Sequence, residues 1–224
     1  MKERPILFSA PMVRAILDGT KTQTRRVVKG MPTEEDGSAY SGEVFGPELY
    51  APAGCNKHGE IIPLPEIYGI YDEDGQWGIK CPFGQPGDQL WVKETWRTDE
   101  EYDQIKPSEL PDGVRVNCRA GFNSQENSNF NVLSRKWRSP LFMQRRFSRI
   151  VLEITDVRVE RLHDISEADA MAEGCNGGHG AMPDYMYNAT PDEHFMMLWE
   201  SINGAGSWND DPWVWVIEFR RLPS

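Results

Sequence analysis

The sequence predicts an α+β fold: a small β-barrel with flanking helices and long loop insertions. Apolar residues recur at helical spacing in a few short stretches, and elsewhere they alternate as in strands. Segments at about 29–86 and 98–133 are rich in turn-forming and charged residues and show no sustained period. A chain of 224 residues suits one domain with insertions or two small ones. We expect a single domain spanning 1–224, with those two segments as insertions.

The chain begins with a predicted strand and helix. Pro5–Phe8 is typical of a short strand, and Ser9 is a candidate N-cap for the helix that follows. Gly19 occupies the position of a left-handed residue that ends a helix. One apolar face at helical spacing is formed by Met12, Val13, Ile16 and Leu17. If the next residues are extended, Thr22, Thr24 and Arg26 share one face and Gln23 and Arg25 the other.

The first insertion contains the signature of one hairpin. Its arms are Ile67–Tyr71 and Gln76–Ile79, and the acidic, glycine-containing run Asp72–Gly75 between them is a turn signal. After the insertion, the turn Gly87–Asp88 leads into a strand at Gln89–Val92. We therefore expect regular structure to resume at that strand.

The second half of the chain has the strongest local signals. Ile150, Leu152 and Ile154 alternate, and Val157 and Val159 resume one step out of phase, which indicates a long strand with a bulge.

Two helices and a strand follow. Ser166 with Asp169 resembles a capping box and Gly174 is a stop signal, so this helix ends near Glu173. Thr190 begins another helix, with proline and glutamate at the expected positions, and the apolar strand at 213–219 closes the fold.

Charge limits the possible partners. The formal net charge of −11 argues against strong non-specific nucleic-acid binding, which depends on basic groups displacing counterions. However, the segment 127–152 has no acid and carries Arg135, Lys136, Arg138, Arg145, Arg146 and Arg149. With Lys21, Arg25 and Arg26 this run predicts a positive surface for a single nucleotide or a short single strand. The alternative is a basic loop balanced by acidic neighbours.

Composition also bears on location and metals. No apolar run approaches the roughly 20 residues of a membrane span, and the apolar stretch after Met1 is too short for a signal peptide. The four cysteines are far apart and form no Cys-x-x-Cys pair, so we expect free thiols. A zinc site at Cys55 and His58 lacks the usual closely spaced ligand pairs. We expect a cytoplasmic protein with no metal or other cofactor and no membrane partner.

Two stretches offer candidate site residues. The run from Lys21 to Arg26 concentrates cations and hydroxyls, which favours a pocket for a polar ligand or, alternatively, a solvated strand. Glu94 and Trp96, at the end of a strand, resemble a base-stacking shelf with a polar reader, although an aromatic there is also typical of the rim of a core. Glu173 lies at the C-terminal end of a predicted helix, where the helix dipole repels a carboxylate. This position favours a proton carrier, and the alternative is an exposed acid on a frayed helix end.

Together these motifs resemble the ASCH family, whose fold is a PUA-like β-barrel. The resemblance rests on the helix ending Asp18-Gly19, on Lys21-Thr22-Gln23-Thr24-Arg25-Arg26, and on the later elements in the family's order. The insertions and the run Trp91–Trp96 look like those of members carried by phages and prophages. The motif match covers both ends and the middle of the chain but not the residues within the two insertions.

The resemblance implies a chemistry. One branch of the family removes the acetyl group from N4-acetylcytidine with a lysine, a threonine and a glutamate, and by motif match these roles fall on Lys21, Thr24 and Glu173. A threonine hydroxyl needs a base to take its proton, and Lys21 serves only if burial or nearby cations favour its neutral form. A threonine acyl-enzyme needs no metal. Arg25 departs from the apolar residue that the family pattern has at that position.

Other activities remain open because one fold hosts many functions. The alternatives are a non-catalytic binder of RNA or modified nucleotides and a ribonuclease. The candidate substrate-binding residues are Arg25, Arg26, Glu94 and Trp96.

Overall fold

The computed structural model describes residues 1–34, 40–121, 136–181 and 187–223, and the fold is α+β with mostly strands and few helices. The helices are α1 (Ala10–Leu17), α2 (Glu167–Ala172) and α3 (Pro191–Asn203). The strands are β1 (Glu3–Leu7), β2 (Gln23–Val27), β3 (Phe45–Tyr50), β4 (Ala53–Cys55), β5 (Ile61–Pro63), β6 (Ile67–Tyr71), β7 (Gly78–Lys80), β8 (Gln89–Lys93), β9 (Trp96–Arg97), β10 (Asn117–Cys118), β11 (Val151–Arg161) and β12 (Trp213–Arg221).

The chain folds as two compact units, each built from separate segments. Unit 1 takes Met1–Lys21, Asp88–Glu153 and Arg220–Ser224, and unit 2 takes Thr22–Gly87 and Ile154–Phe219. Each unit therefore combines segments that are remote from one another in the sequence. The prediction of a single domain with two insertions stays a prediction.

Unit 1 is organised around β8. This strand pairs in parallel with β1 and antiparallel with the first residues of β11. An ion pair of 2.8 Å between Arg4 and Asp88 joins the starts of β1 and β8. Helix α1 follows β1 and buries Met12, Val13 and Ile16, which confirms its predicted apolar face.

Unit 2 contains the strands in the order β11-β12-β2. The central strand β12 is the apolar strand predicted at 213–219, and it pairs antiparallel with β2 so that Thr24 lies opposite Ile217. Helices α2 and α3 pack in a core that includes Leu162, Phe195, Trp199 and Val216. Both helices begin with the predicted capping boxes, which satisfy backbone N–H groups of their first turns.

The first insertion is more ordered than its sequence indicates. The predicted hairpin is confirmed as β6 paired antiparallel with β7, and β3 adds a further strand beside β6. The strands β3, β4 and β5 were not predicted, because β3 contains both a glycine and a proline, which weaken strand signals, and β4 and β5 have only three residues each. The second insertion, 98–133, is described only as far as residue 121. Up to that point it holds single turns of 3₁₀-helix and β10.

Among the described residues, no sheet closes into a barrel, so the observed fold class is α+β without that closure. The longest described helix, α3, has 13 residues, and the helices of the described ranges lack the combined length and apolarity needed to cross a bilayer.

Candidate active site

Lys21 lies at the end of the first segment of unit 1. Its backbone N–H donates to the carbonyl of Ala15 at 3.0 Å, which fixes the turn after α1. Its side chain is buried, with 2% of the residue exposed, and Nζ lies 5.7 Å from the ring centroid of Phe8. An aromatic face compensates part of the cost of withdrawing an ammonium group from water. The predicted lysine is therefore withdrawn from solvent beside an aromatic ring within this unit.

Strand β2 presents two faces, as the sequence predicts. The side chains of Gln23 and Arg25 both reach Asp169, which places them on one face. Alternation along the strand directs Thr24 to the opposite face. Thr24 is 1% exposed, so the candidate nucleophile is withdrawn from solvent. The face of Arg25 is thus the one turned toward α2.

Glu173 is positioned by the end of α2. It is the C-cap residue, and Gly174 follows with the positive φ of 89° that the predicted helix stop requires. The carbonyl of Ala172 accepts a hydrogen bond of 2.8 Å from the N–H of Thr22, so the start of β2 is fixed beside this helix end. Glu173 is 3% exposed, and the frayed, solvated acid considered from the sequence is not what the structure contains.

Arg25 is the centre of a buried charge network in unit 2. Its guanidinium bonds Glu160 and lies 3.5 Å from an Asp169 oxygen and 3.6 Å from Oε1 of Glu173. The side chain is fully buried and also packs on the ring of Phe195, at 5.8 Å from the centroid. A buried guanidinium is stable only when such partners offset its lost hydration. Arg25 therefore places a fixed positive charge beside Glu173.

A second arginine completes the network. Arg158 donates to Glu160 at 3.0 Å, to Asp169 at 2.7 Å and to Glu218 at 2.6 Å. Asp169 is thus shared by both arginines. Burial by itself raises the pKa of Asp169, but hydrogen bonds from Ser166 and Gln23 and the charge of Arg25 outweigh it and lower that pKa to about 2.

Arg26 is half-buried, on the same face of β2 as Thr24 by alternation. Burial lowers the pKa of Arg26, and the negative charge of Glu173 partly restores it. An arginine keeps its proton despite such a shift, because its ordinary pKa is above 12. It therefore contributes a second permanent positive charge near the carboxylate.

The candidate pair Glu94 and Trp96 lies in unit 1 and serves its core. Glu94 accepts two hydrogen bonds from Arg149, at 2.9 and 3.1 Å. Trp96 is 0% exposed, packs with Leu110 and Met143, and offers no exposed ring face for a base. The stacking interpretation of Trp96 is therefore wrong: the ring is buried in the core, and its indole N–H donates to the backbone carbonyl of Ser139.

The basic run 127–152 is largely neutralised where it is described. Residues up to Arg135 lie outside the described ranges. Beyond them, Arg145 pairs with Glu3, Arg146 with Asp112 and Arg149 with Glu94, while Arg138 donates to two backbone carbonyls. This matches the alternative of a basic loop balanced by acids, and it leaves few cations of this run available to a nucleic acid.

The structure thus places Thr24, Arg25, Arg26 and Glu173 in unit 2, and Lys21, Glu94 and Trp96 in unit 1. Sequence reasoning missed Arg158 and Glu160, which share β11. The available signal was their opposite charges at positions 158 and 160 of one strand, which alternation places on the same face. It also missed a cluster of arginines in unit 1, described below, which come from separate segments and have no sequence signature.

Comparisons with protein-family models, with curated proteins and with solved structures found no match. The proposals that follow therefore depend on the geometry of the site and on the sequence resemblance.

Proposed function

We propose that this protein is an amidohydrolase that removes an acyl group from a modified nucleoside such as N4-acetylcytidine. The observation that carries the proposal is the burial of all three candidate catalytic groups: Lys21, Thr24 and Glu173 are 2%, 1% and 3% exposed. Withdrawing an amine, an alcohol and a carboxylate from water costs free energy, and such groups concentrate at functional sites.

Chain connectivity supports the pairing of base and nucleophile. Lys21 and Thr24 are three residues apart, so their Cα atoms are separated by at most about 11 Å. In the proposed reaction, the amine of Lys21 takes the hydroxyl proton of Thr24 as the threonine oxygen attacks the acyl carbon. The bond from the acyl carbon to the exocyclic nitrogen then breaks.

The proposed role of Glu173 is to relay to that leaving nitrogen the proton that Lys21 took from Thr24. Arg25 lies beside the Glu173 carboxylate from the face of β2 opposite Thr24, and Arg26, on the Thr24 face by alternation, also interacts with the charge of Glu173. Water then cleaves the threonine ester, releases the carboxylic acid and restores the hydroxyl. No cofactor is needed.

The test is turnover of N4-acetylcytidine and longer N4-acyl cytidines, with cytidine measured by chromatography. Thr24→Ala, Lys21→Ala and Glu173→Gln are each expected to lower the rate at least about 100-fold, the usual contribution of a nucleophile or general acid–base group. Matched controls are the exposed neighbours Thr22→Ala and Glu167→Gln, which are expected to keep wild-type rates.

Folding of each variant is checked by circular dichroism. Thr24→Ser keeps a hydroxyl and is expected to retain measurable turnover even if Thr24→Ala does not fold. A folded Thr24→Ala protein that turns over as fast as wild type would overturn the proposed nucleophile. A wild-type protein that hydrolyses none of these amides would overturn the proposed activity.

The alternative of a non-catalytic RNA binder predicts salt-sensitive binding of single strands. Its cations within the described part of the basic run are mostly engaged in ion pairs, as shown above. Absence of RNA binding at low salt would exclude the RNA-binding function. Intact RNA after long incubation in metal-free buffer would exclude the ribonuclease activity.

A further inference from the structure

Unit 1 contains a cleft that no part of the proposed reaction uses. Its volume is about 670 Å³, within the range of about 300–1,000 Å³ that holds small-molecule ligands. The first turn of α1 forms one wall, and the end of β9 and the segment after β10 form others. The cleft lies wholly within this unit.

The lining of this cleft is cationic. Arg14, Arg97 and Arg119 all contribute to it, and none of the described lining residues is acidic. Within the described ranges, Arg14 and Arg119 form no ion pair, in contrast with the paired arginines of the basic run. Guanidinium groups such as those of Arg14 and Arg119 repel one another across one space, and an anion between them would relieve that repulsion.

Trp137 orients two of these arginines. The guanidinium of Arg97 lies 4.5 Å from the Trp137 ring centroid, and that of Arg119 lies 6.0 Å from it. Arg97 is 8% exposed, so its charge is held within the structure rather than on a mobile surface chain. Stacking on the ring uses the guanidinium face and leaves the N–H groups at the edge for hydrogen bonds.

The start of α1 adds backbone donors. Ser9 is the N-cap residue, but its side chain makes no capping hydrogen bond in the described structure. First-turn N–H groups of a helix carry partial positive charge and bind anions when no side chain caps them. The wall formed by α1 therefore carries partial positive charge, like the arginines.

We propose that this cleft binds the phosphate monoester of a nucleotide-sized molecule, with Arg14 and Arg119 on the phosphate oxygens and Arg97 fixed against Trp137. Planar guanidinium groups match phosphate oxygens in paired hydrogen bonds, which favours phosphate over a simple halide. The proposal is independent of the hydrolase proposed above, because it shares no residue with that site.

The test is isothermal titration of the whole protein in a phosphate-free buffer of low ionic strength. The probes are cytidine 5′-monophosphate, inorganic phosphate and cytidine. We expect one saturable site for the monophosphate, weaker binding at 0.5 M salt, and no binding of cytidine at the same concentrations. If inorganic phosphate binds as tightly as the nucleotide, the cleft recognises the phosphate group alone, and the proposal of a nucleotide-sized ligand would be overturned.

Two variants assign the site. Arg119→Gln and Arg14→Gln, both at exposed positions, are expected to weaken monophosphate binding at least about tenfold each. The control is Arg115→Gln, an exposed arginine of the same unit that pairs with Asp99 outside the cleft, and it is expected to change affinity less than about twofold. Equal binding of cytidine, no saturable binding of either phosphate probe, or equal losses in the Arg115 control would overturn the proposal.

Discussion

Asp169 joins the two arginines that surround the candidate carboxylate, so its removal tests the buried charge network directly. In Asp169→Asn the shape is kept and the negative charge is lost. One carboxylate oxygen accepts from Arg158 at 2.7 Å and from Gln23 at 3.1 Å, and the other accepts from Ser166 at 2.7 Å. The asparagine amide cannot accept hydrogen bonds at both positions, so some of these donors lose their partner.

The magnitude follows from the pKa of Asp169, which falls from the ordinary 3.8 to about 2 in the folded protein. The side chain is 22% exposed, so solvent screening is modest. This difference corresponds to roughly 2.5 kcal/mol of folding free energy at neutral pH. Because the folded pKa lies below the unfolded one, the contribution is complete above about pH 5 and is lost as the pH falls toward 2. About half of it remains at pH 3.

The assay is urea unfolding followed by tryptophan fluorescence at pH 7, 5, 4 and 3. Asp169→Asn is expected to be about 2–3 kcal/mol less stable than wild type at pH 7, and the gap between them is expected to shrink by about half at pH 3. The control, Glu167→Gln, removes an exposed acid of the same helix and is expected to change stability by under about 0.5 kcal/mol. A gap that stays constant from pH 7 to pH 3 would refute the assignment of the charge network to Asp169.

Three further results are expected from unit 1. Trp96→Ala removes a fully buried indole and is expected to cost about 3–5 kcal/mol in thermal unfolding, whereas a loss under about 1 kcal/mol would contradict its place in the core. Arg149→Ala leaves buried Glu94 without this arginine and is expected to lower the free energy of unfolding by roughly 1–3 kcal/mol. The loss is smaller than for a fully buried pair because Arg149 is 40% exposed. Adding Glu94→Gln to this variant is expected to recover part of the lost stability. Burial and the nearby charge of Glu94 raise the pKa of Cys118 to about 12, so at pH 8 iodoacetamide is expected to modify exposed Cys55 and spare Cys118, as mass spectrometry would show.

Local structure was predictable where its cause lies within a few residues. The capping boxes at Ser166 and Thr190 begin α2 and α3 as expected, and Gly174 ends the turn that carries Glu173. Alternation along β2 correctly predicted that the side chains of Gln23 and Arg25 lie on the same face of the strand. These signals are readable because the interacting groups are neighbours along the chain.

The site was predictable only in part. The sequence indicated a cationic segment and an acid at a helix end, but it assigned Arg25 to a ligand. In the structure Arg25 donates to Glu160, which lies 135 positions away in the sequence. No local sequence pattern identifies a partner at that distance. The role of Trp96 was not predictable for the same reason. A tryptophan at the end of a strand gives the same sequence pattern whether its ring faces a ligand or the core.

By itself, then, the sequence determined which stretches become α1, α2, α3 and β12, and where the hairpin of β6 and β7 reverses the chain. These choices depend on backbone hydrogen bonds and side-chain spacing that close within one or two turns. Only the tertiary structure decided which charges are buried together, which arginines are neutralised, and that Arg97, Arg119 and Trp137 line one cleft. The physical reason is that burial and Coulomb energies depend on distance in space, and folding brings together side chains that the sequence separates.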